Sequence, residues 1–174
     1  HHRSSGSRIL VEIISRDIEI NLQPLQLLML TDITERVESS RQLRLLKRSI
    51  ESISNGIVIA DAKAADLSII YVNPAFEHIT GYTREESLGQ NCRFLQGPTA
   101  DPFNESALND LREGLKNQSP VKAVLRNYRK DGTPFWNDLY LAPIPNNKGQ
   151  VTHFIGVLND ISDRKSVEHE LAYN

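Results

Sequence analysis

Asn91-Cys92-Arg93-Phe94-Leu95-Gln96 holds the one cysteine of a 174-residue chain, and the fold is read outward from it. Upstream, Gly56-Ile57-Val58-Ile59-Ala60-Asp61 reads as a buried strand and Ser68 to Val72 as a second. Asn73-Pro74-Ala75-Phe76 starts a helix, because Asn73 is a good N-cap and Pro74 suits the first helical position. Gly81-Tyr82 closes that helix, and Thr83 to Glu86 has capping-box form for the next. Downstream, Ser106 to Asn117 is helical, with Leu108, Leu111 and Leu115 on one face. Three strands follow: Val121 to Arg129, Pro134 to Ile144 and Val151 to Leu158. Lys130-Asp131-Gly132 is the turn between the first two. Two strands, short helices and three strands predict an α+β architecture, a five-stranded antiparallel sheet with helices on one face.

The flanks carry an internal echo. Thr31-Asp32-Ile33-Thr34-Glu35-Arg36 is matched by Asn159-Asp160-Ile161-Ser162-Asp163-Arg164. Each follows an apolar strand-like run and precedes a helical pattern. Glu12 to Ile20 and Leu25 to Leu30 read as two strands about a turn at Asn21 to Pro24. Residues 8–32 are therefore expected to be the terminal strands of a truncated preceding domain, or an N-terminal extension packing on the main sheet or on a partner chain. Residues 1–7 read as a purification-tag remnant. Residues 33–54 read as a linker helix whose Leu43, Leu46, Ile50 and Ile53 form a short coiled-coil seam, favouring a parallel homodimer. The central domain is expected over 55–161, and 162–174 begins a C-terminal linker helix.

Composition excludes several classes. The net charge is −2 with both signs interspersed, so nucleic acid is not an expected partner. No apolar run reaches the roughly 18 residues needed to span a bilayer, so no membrane association is expected. One cysteine excludes an intramolecular disulfide and fits a reducing, cytoplasmic setting. His78, His153 and His169 are too scattered to suggest a metal site. No phosphate-binding glycine loop and no effector motif is present.

A lone cysteine is most often a small buried hydrophobe. Its neighbours change that reading. The order strand, strand, Asn-Pro-Ala-Phe, Gly-Tyr, helices and hairpin resembles the PAS superfamily, and Asn91 to Gln96 resembles the signature of its light-oxygen-voltage (LOV) branch. Gly97-Pro98, Asn127-Tyr128, Phe135-Trp136-Asn137 and Phe154-Ile155-Gly156-Val157 reinforce the resemblance over residues 55–161.

The resemblance implies a blue-light sensor that binds flavin mononucleotide (FMN) without a covalent bond in the dark. It implies that light drives reversible addition of the Cys92 sulfur to the flavin C4a carbon, with N5 gaining a proton. A soft, nucleophilic thiol held in place suits that step. By the same resemblance Arg93 and Arg112 hold the phosphate, where a planar guanidinium matches phosphate oxygens in pairs. Asn91 and Gln96 line the pocket, and Asn127 and Asn137 bond the pyrimidine edge. An amide offers that edge both a donor and an acceptor. Asn137 lies inside an apolar strand, where an unpaired amide is costly, and that independently calls for a polar partner. Val58, Leu95, Leu111, Leu115, Leu139, Leu141 and Phe154 are expected as apolar walls, with Gly156 beside them. Trp136 is expected to face away, and Thr99 to Glu105 to form a mobile flap.

One position departs from the family. A glutamine is usual two residues after the glycine matched by Gly156, and Leu158 stands there. Leucine neither donates nor accepts, so the usual route of signal out of the flavin is absent. Asn159 points to the other face of a regular strand. Two competing readings stay open beside the photoreceptor: a flavin-binding PAS redox sensor, and a cofactor-free PAS dimerisation module. The chain is not expected to be an enzyme. The resemblance places the effector, a histidine kinase or cyclic-dinucleotide enzyme, C-terminal to this sensor.

Overall fold

A computed structural model describes residues 8–20, 23–97 and 101–172. The chain divides into two compact units, His1–Ser49 and Ile50–Asn174.

The first unit is a hairpin of β1 (Val11–Ile20) and β2 (Gln23–Asp32), followed by most of α1 (Thr34–Ser52). The expected turn at Asn21 and Leu22 lies outside the described residues. The helix stops at Ser52, so Ile53, the last residue of the expected seam, lies beyond it. Leu43 and Leu46 are 68% and 61% exposed, so the seam is not covered within the chain.

The second unit is the expected sheet. Its strands are β3 (Gly56–Asp61), β4 (Ile69–Val72), β5 (Val121–Tyr128), β6 (Pro134–Pro145) and β7 (Val151–Asp160), in the order β4-β3-β7-β6-β5. Every pairing is antiparallel. Helices α2 (Pro74–Thr80), α3 (Arg84–Ser87) and α4 (Glu105–Lys116) lie between β4 and β5, and α5 (Ser162–Ala172) follows β7. The apolar core forms where Phe76 of α2 and Leu95 meet Val58, Ile69, Val72 and Leu158 of the sheet.

Local chemistry fixes the entry to this unit. Asn73 is fully buried and every side-chain group is used. Its Oδ1 accepts from Phe76 N at 3.0 Å, capping α2, and from Ile57 N at 2.7 Å. Its Nδ2 donates to Asn55 O and Ile50 O at 3.0 and 3.2 Å, which ties the last turn of α1 to β3 and α2. Gly81 caps α2 at φ +74°, a left-handed conformation that glycine adopts without cost. Thr83 and Glu86 form the expected capping box.

The expected flap is corrected in part. Thr99 and Ala100 lie outside the described residues. Pro102–Asn104 is a short 3-10 helix pinned to the edge strand. Asn104 is 1% exposed, donates Nδ2 to Arg126 O at 2.8 Å and accepts from Arg126 N at 2.7 Å. Its amide thus takes the place of a neighbouring strand on the free side of β5. The Tyr128 hydroxyl also donates to Asp101 Oδ2 at 2.9 Å. From Asp101 onward the segment is anchored.

Candidate functional site

Strand alternation directs one set of side chains to one face of the sheet. Val58 and Ala60 of β3, Leu125 and Asn127 of β5, Asn137, Leu139 and Leu141 of β6, and Phe154, Gly156 and Leu158 of β7 all line one cavity of about 380 Å³. Leu108, Leu111, Arg112 and Leu115 of α4, with Asn91, Cys92, Arg93, Leu95 and Gln96, enclose it from the other side. Every residue expected to hold the cofactor lies on this one surface. The volume falls in the range of small-molecule sites.

Cys92 opens a 3-10 helix, Cys92–Gln96, whose N-cap is Asn91. Asn91 Oδ1 accepts from Arg93 N at 3.0 Å and from Arg93 Nε at 3.2 Å, while its Nδ2 donates to Asp66 O. The cap residue thereby anchors both the turn bearing the thiol and the arginine beside it. Cys92 keeps some accessible surface because it lines the cavity, yet protein encloses it, and burial pushes its thiol up to about 12. The group is therefore a neutral thiol at physiological pH.

The polar groups separate by position. Asn127 and Asn137 are 4% and 1% exposed, deep in the sheet. Asn137 Nδ2 donates to Asn127 Oδ1 at 2.9 Å, and Asn137 Oδ1 accepts from Asn159 N at 3.2 Å. The Asn127 amide nitrogen has no hydrogen-bond partner among the described residues. An amide donor on the wall of an apolar cavity fits a ligand that accepts hydrogen bonds. Arg93 and Arg112 are exposed members of the cavity lining. Arg112 is oriented by its bond to Asn109 Oδ1 at 2.7 Å. The arrangement suits a flat, largely apolar ligand with a polar edge inside and an anionic group at the arginines.

Leu158 is 2% exposed and pairs with Gly56 and Leu139. It packs in the core and forms part of the cavity wall, so an apolar side chain stands at that point. No register shift interrupts β7 near Asn159, so its side chain lies on the opposite face. Only its backbone N–H reaches Asn137. Trp136 lies between the buried Phe135 and Asn137 and takes the outer face, where the Phe103 ring half covers it at 6.2 Å.

Four lining residues were not among the expected ones. Ala60 and Leu125 stand two residues from Val58 and Asn127, so strand periodicity alone would have found them. Leu108 shares the apolar face of α4. Leu67 reaches the cavity from a loop at φ +54°, and no sequence pattern signals it.

A PAS-domain family model matches residues 54–163. A solved LOV domain from the Erythrobacter litoralis EL346 blue-light-activated histidine kinase is 38% identical, with a TM-score of 0.58 over 63% of this chain and 98% of its own. The chain belongs to the LOV branch of the PAS superfamily. An RNA-binding light-oxygen-voltage receptor is also 38% identical, with a TM-score of 0.67 over 78% of this chain and 39% of its own. Blue-light-activated histidine kinase 1 of Erythrobacter litoralis (strain HTCC2594) is 42% identical over 120 residues, which are 69% of this chain and 32% of that kinase. The chain spans from 12% to 50% of the length of curated relatives that it matches. The LOV domain thus takes in all five strands β3 to β7 and the whole cavity.

Proposed function

We propose that this LOV domain is a blue-light sensor module that holds FMN in the 380 Å³ cavity and answers light through Cys92. One observation carries the reading: an enclosed thiol, two paired buried amides and two arginines share the surface of a single apolar cavity. A bound flavin supplies blue-light absorption and, once excited, a ring carbon open to a nucleophile and a ring nitrogen that takes a proton. Cys92 supplies both the sulfur and the proton, and takes the proton back when the bond breaks in the dark. Its neutral state matters, because a thiol with so little thiolate stays unreactive until light arrives. Asn127 and Asn137 hold the polar edge of the ring. Arg93 and Arg112 bind the phosphate. Asn91 keeps the turn of Cys92 in place, and Leu95, Gln96, Leu139, Leu141, Phe154, Gly156, Leu158 and Val58 exclude water around the ring.

The raised thiol also argues against a redox sensor, which calls for an accessible, low-pKa cysteine. A cofactor-free dimerisation module gives no use to the Asn127 amide nitrogen, which bonds no described residue.

Output runs through α1 and α5 to a C-terminal effector in a cytoplasmic protein, with a parallel homodimer formed along α1. Leu158 removes the usual glutamine. Asn137 is the remaining side chain that meets both the cavity and the end of β7, through Asn159 N.

The test is the absorption spectrum before and after blue light. The purified protein should be yellow, with a structured blue band that bleaches and recovers in the dark. Cys92→Ala should keep the flavin and its fluorescence and lose the bleaching. Reversible bleaching like the parent's in that variant would refute the mechanism.

A further inference from the structure

The exposed hairpin of the first unit reproduces the exit bonds of the hairpin that closes the LOV domain. β1 meets β2 at Val11 and Asp32, and β6 meets β7 at Asn137 and Asp160. Ile33 N donates to Leu10 O at 2.9 Å, as Ile161 N donates to Trp136 O at 2.8 Å. Leu10 N donates to Thr34 Oγ1 at 2.8 Å, as Trp136 N donates to Ser162 Oγ at 2.9 Å. Asp32 Oδ1 accepts from Thr34 N at 3.0 Å and Thr34 Oγ1 at 2.6 Å. Asp160 Oδ1 accepts from Ser162 N and Ser162 Oγ at the same 3.0 and 2.6 Å. Both helices then begin with matching bonds of 3.0 Å, Val37 N to Ile33 O and Lys165 N to Ile161 O. A generic hairpin does not need this exit, in which the strand end caps the helix and the helix hydroxyl takes the last strand N–H.

The match assigns a face to each residue. Counting back from Asp32 and Asp160, Leu30 stands where Leu158 stands, and Leu28 where Gly156 stands. Ile13 pairs with Leu30 as Leu139 pairs with Leu158. In the LOV domain this face lines the cavity, Leu158 is 2% exposed, and β3 and β5 pair with the outer edges of the hairpin. In the first unit the same positions are bare: Ile13 is 56%, Leu28 55% and Leu30 60% exposed, and neither strand has a second partner among the described residues. Two strands are not stable alone in water, and an apolar face of this extent calls for a cover.

We propose that β1, β2 and the first turn of α1 are the closing hairpin and exit helix of a second PAS-type unit. Its first half, encoded upstream in the same polypeptide, covers Ile13, Leu28 and Leu30. In the LOV domain the corresponding half runs from Gly56 to Thr133, which is 78 residues. A stretch of about that length, with two strands, helices and a third strand, is therefore expected before the hairpin. The segment α1 then joins two PAS-type units in series. The hairpin geometry holds whether or not the flavin reading does.

The full-length natural protein is compared with the 174-residue chain by amide hydrogen exchange. The β1 and β2 amides should exchange at least ~100-fold slower in the natural protein, while β6 and β7 are protected in both. Equal exchange in the two proteins overturns the proposal and leaves the hairpin an extension. Protection in the 174-residue chain that rises with its concentration also overturns it, because a second copy is then the cover. In the natural protein, Leu28→Asp with Leu30→Asp should abolish the β1 and β2 protection and leave blue-light bleaching unchanged. Retained protection in that variant overturns the assignment of the covered face.

Discussion

Cys92 shows how a residue's meaning depends on its enclosure. Its identity and its neighbours suggested a reactive group, and its burial adds that the group is held as a thiol. That has a consequence for stability. An unfolded cysteine loses its proton near 9.0, whereas the folded Cys92 keeps it to about 12. Between those values the native state binds more protons than the unfolded state, so unfolding becomes easier as pH rises. The contribution is complete below pH 9 and lost by about 12. Tyr71, raised chiefly by desolvation, acts in the same direction, so the difference between parent and variant isolates the thiol. Urea unfolding from pH 8 to 11 should show a steeper loss of stability in the parent than in Cys92→Ala. Parallel curves would mean that the thiol is not enclosed. Leu158 gives the second prediction at this scale. Leu158→Gln places an amide at the cavity wall where the wild type offers none, and should shift the flavin band to longer wavelength. An unmoved band would show that this residue does not face the ring.

Among the elements, the short pieces between β4 and β5 decide the shape of the site, and these were the hardest to read. The strands β3 to β7 were legible because alternation and turn residues mark them: β3 begins and ends where the sequence places it, at Gly56 and Asp61. The 3-10 helices Cys92–Gln96 and Pro102–Asn104 were not anticipated. Each is too short to carry a helical period, and each is fixed by a side-chain cap or a tertiary bond. Asn104 is the clearest case, since nothing local shows that its amide will bond the backbone of Arg126 across 22 positions. Asn104→Ala leaves two half-buried backbone groups of β5 without their protein partner and should cost about 2 kcal/mol. A urea midpoint lowered with unchanged slope would show it, and an unchanged midpoint would show that water takes over both bonds.

At the scale of the whole molecule, exposed apolar side chains crowd the flanking elements, and Ile70, Phe103, Val124 and Tyr140 add others on the LOV domain. Along α1, Leu43 and Leu46 are bare. If α1 pairs two copies, Leu43→Asp with Leu46→Asp should turn a dimer into a monomer in analytical ultracentrifugation and leave the flavin spectrum unaltered. A dimer that survives both changes would place the contact elsewhere. The sequence by itself determined the strand order along the chain, the caps of α2 and α3, and the motif around Cys92, because period, capping chemistry and a signature motif are local properties. It also showed the echo between residues 31–36 and 159–164. Only the tertiary structure decided that residues 58, 92, 112, 127, 137 and 158 share one cavity, since their convergence depends on sheet register and on helices crossing its face. It also decided that the two echoing hairpins, alike in every exit bond, differ in cover: Leu158 is buried and Leu30 is not, because burial belongs to the neighbours a strand meets and not to the strand.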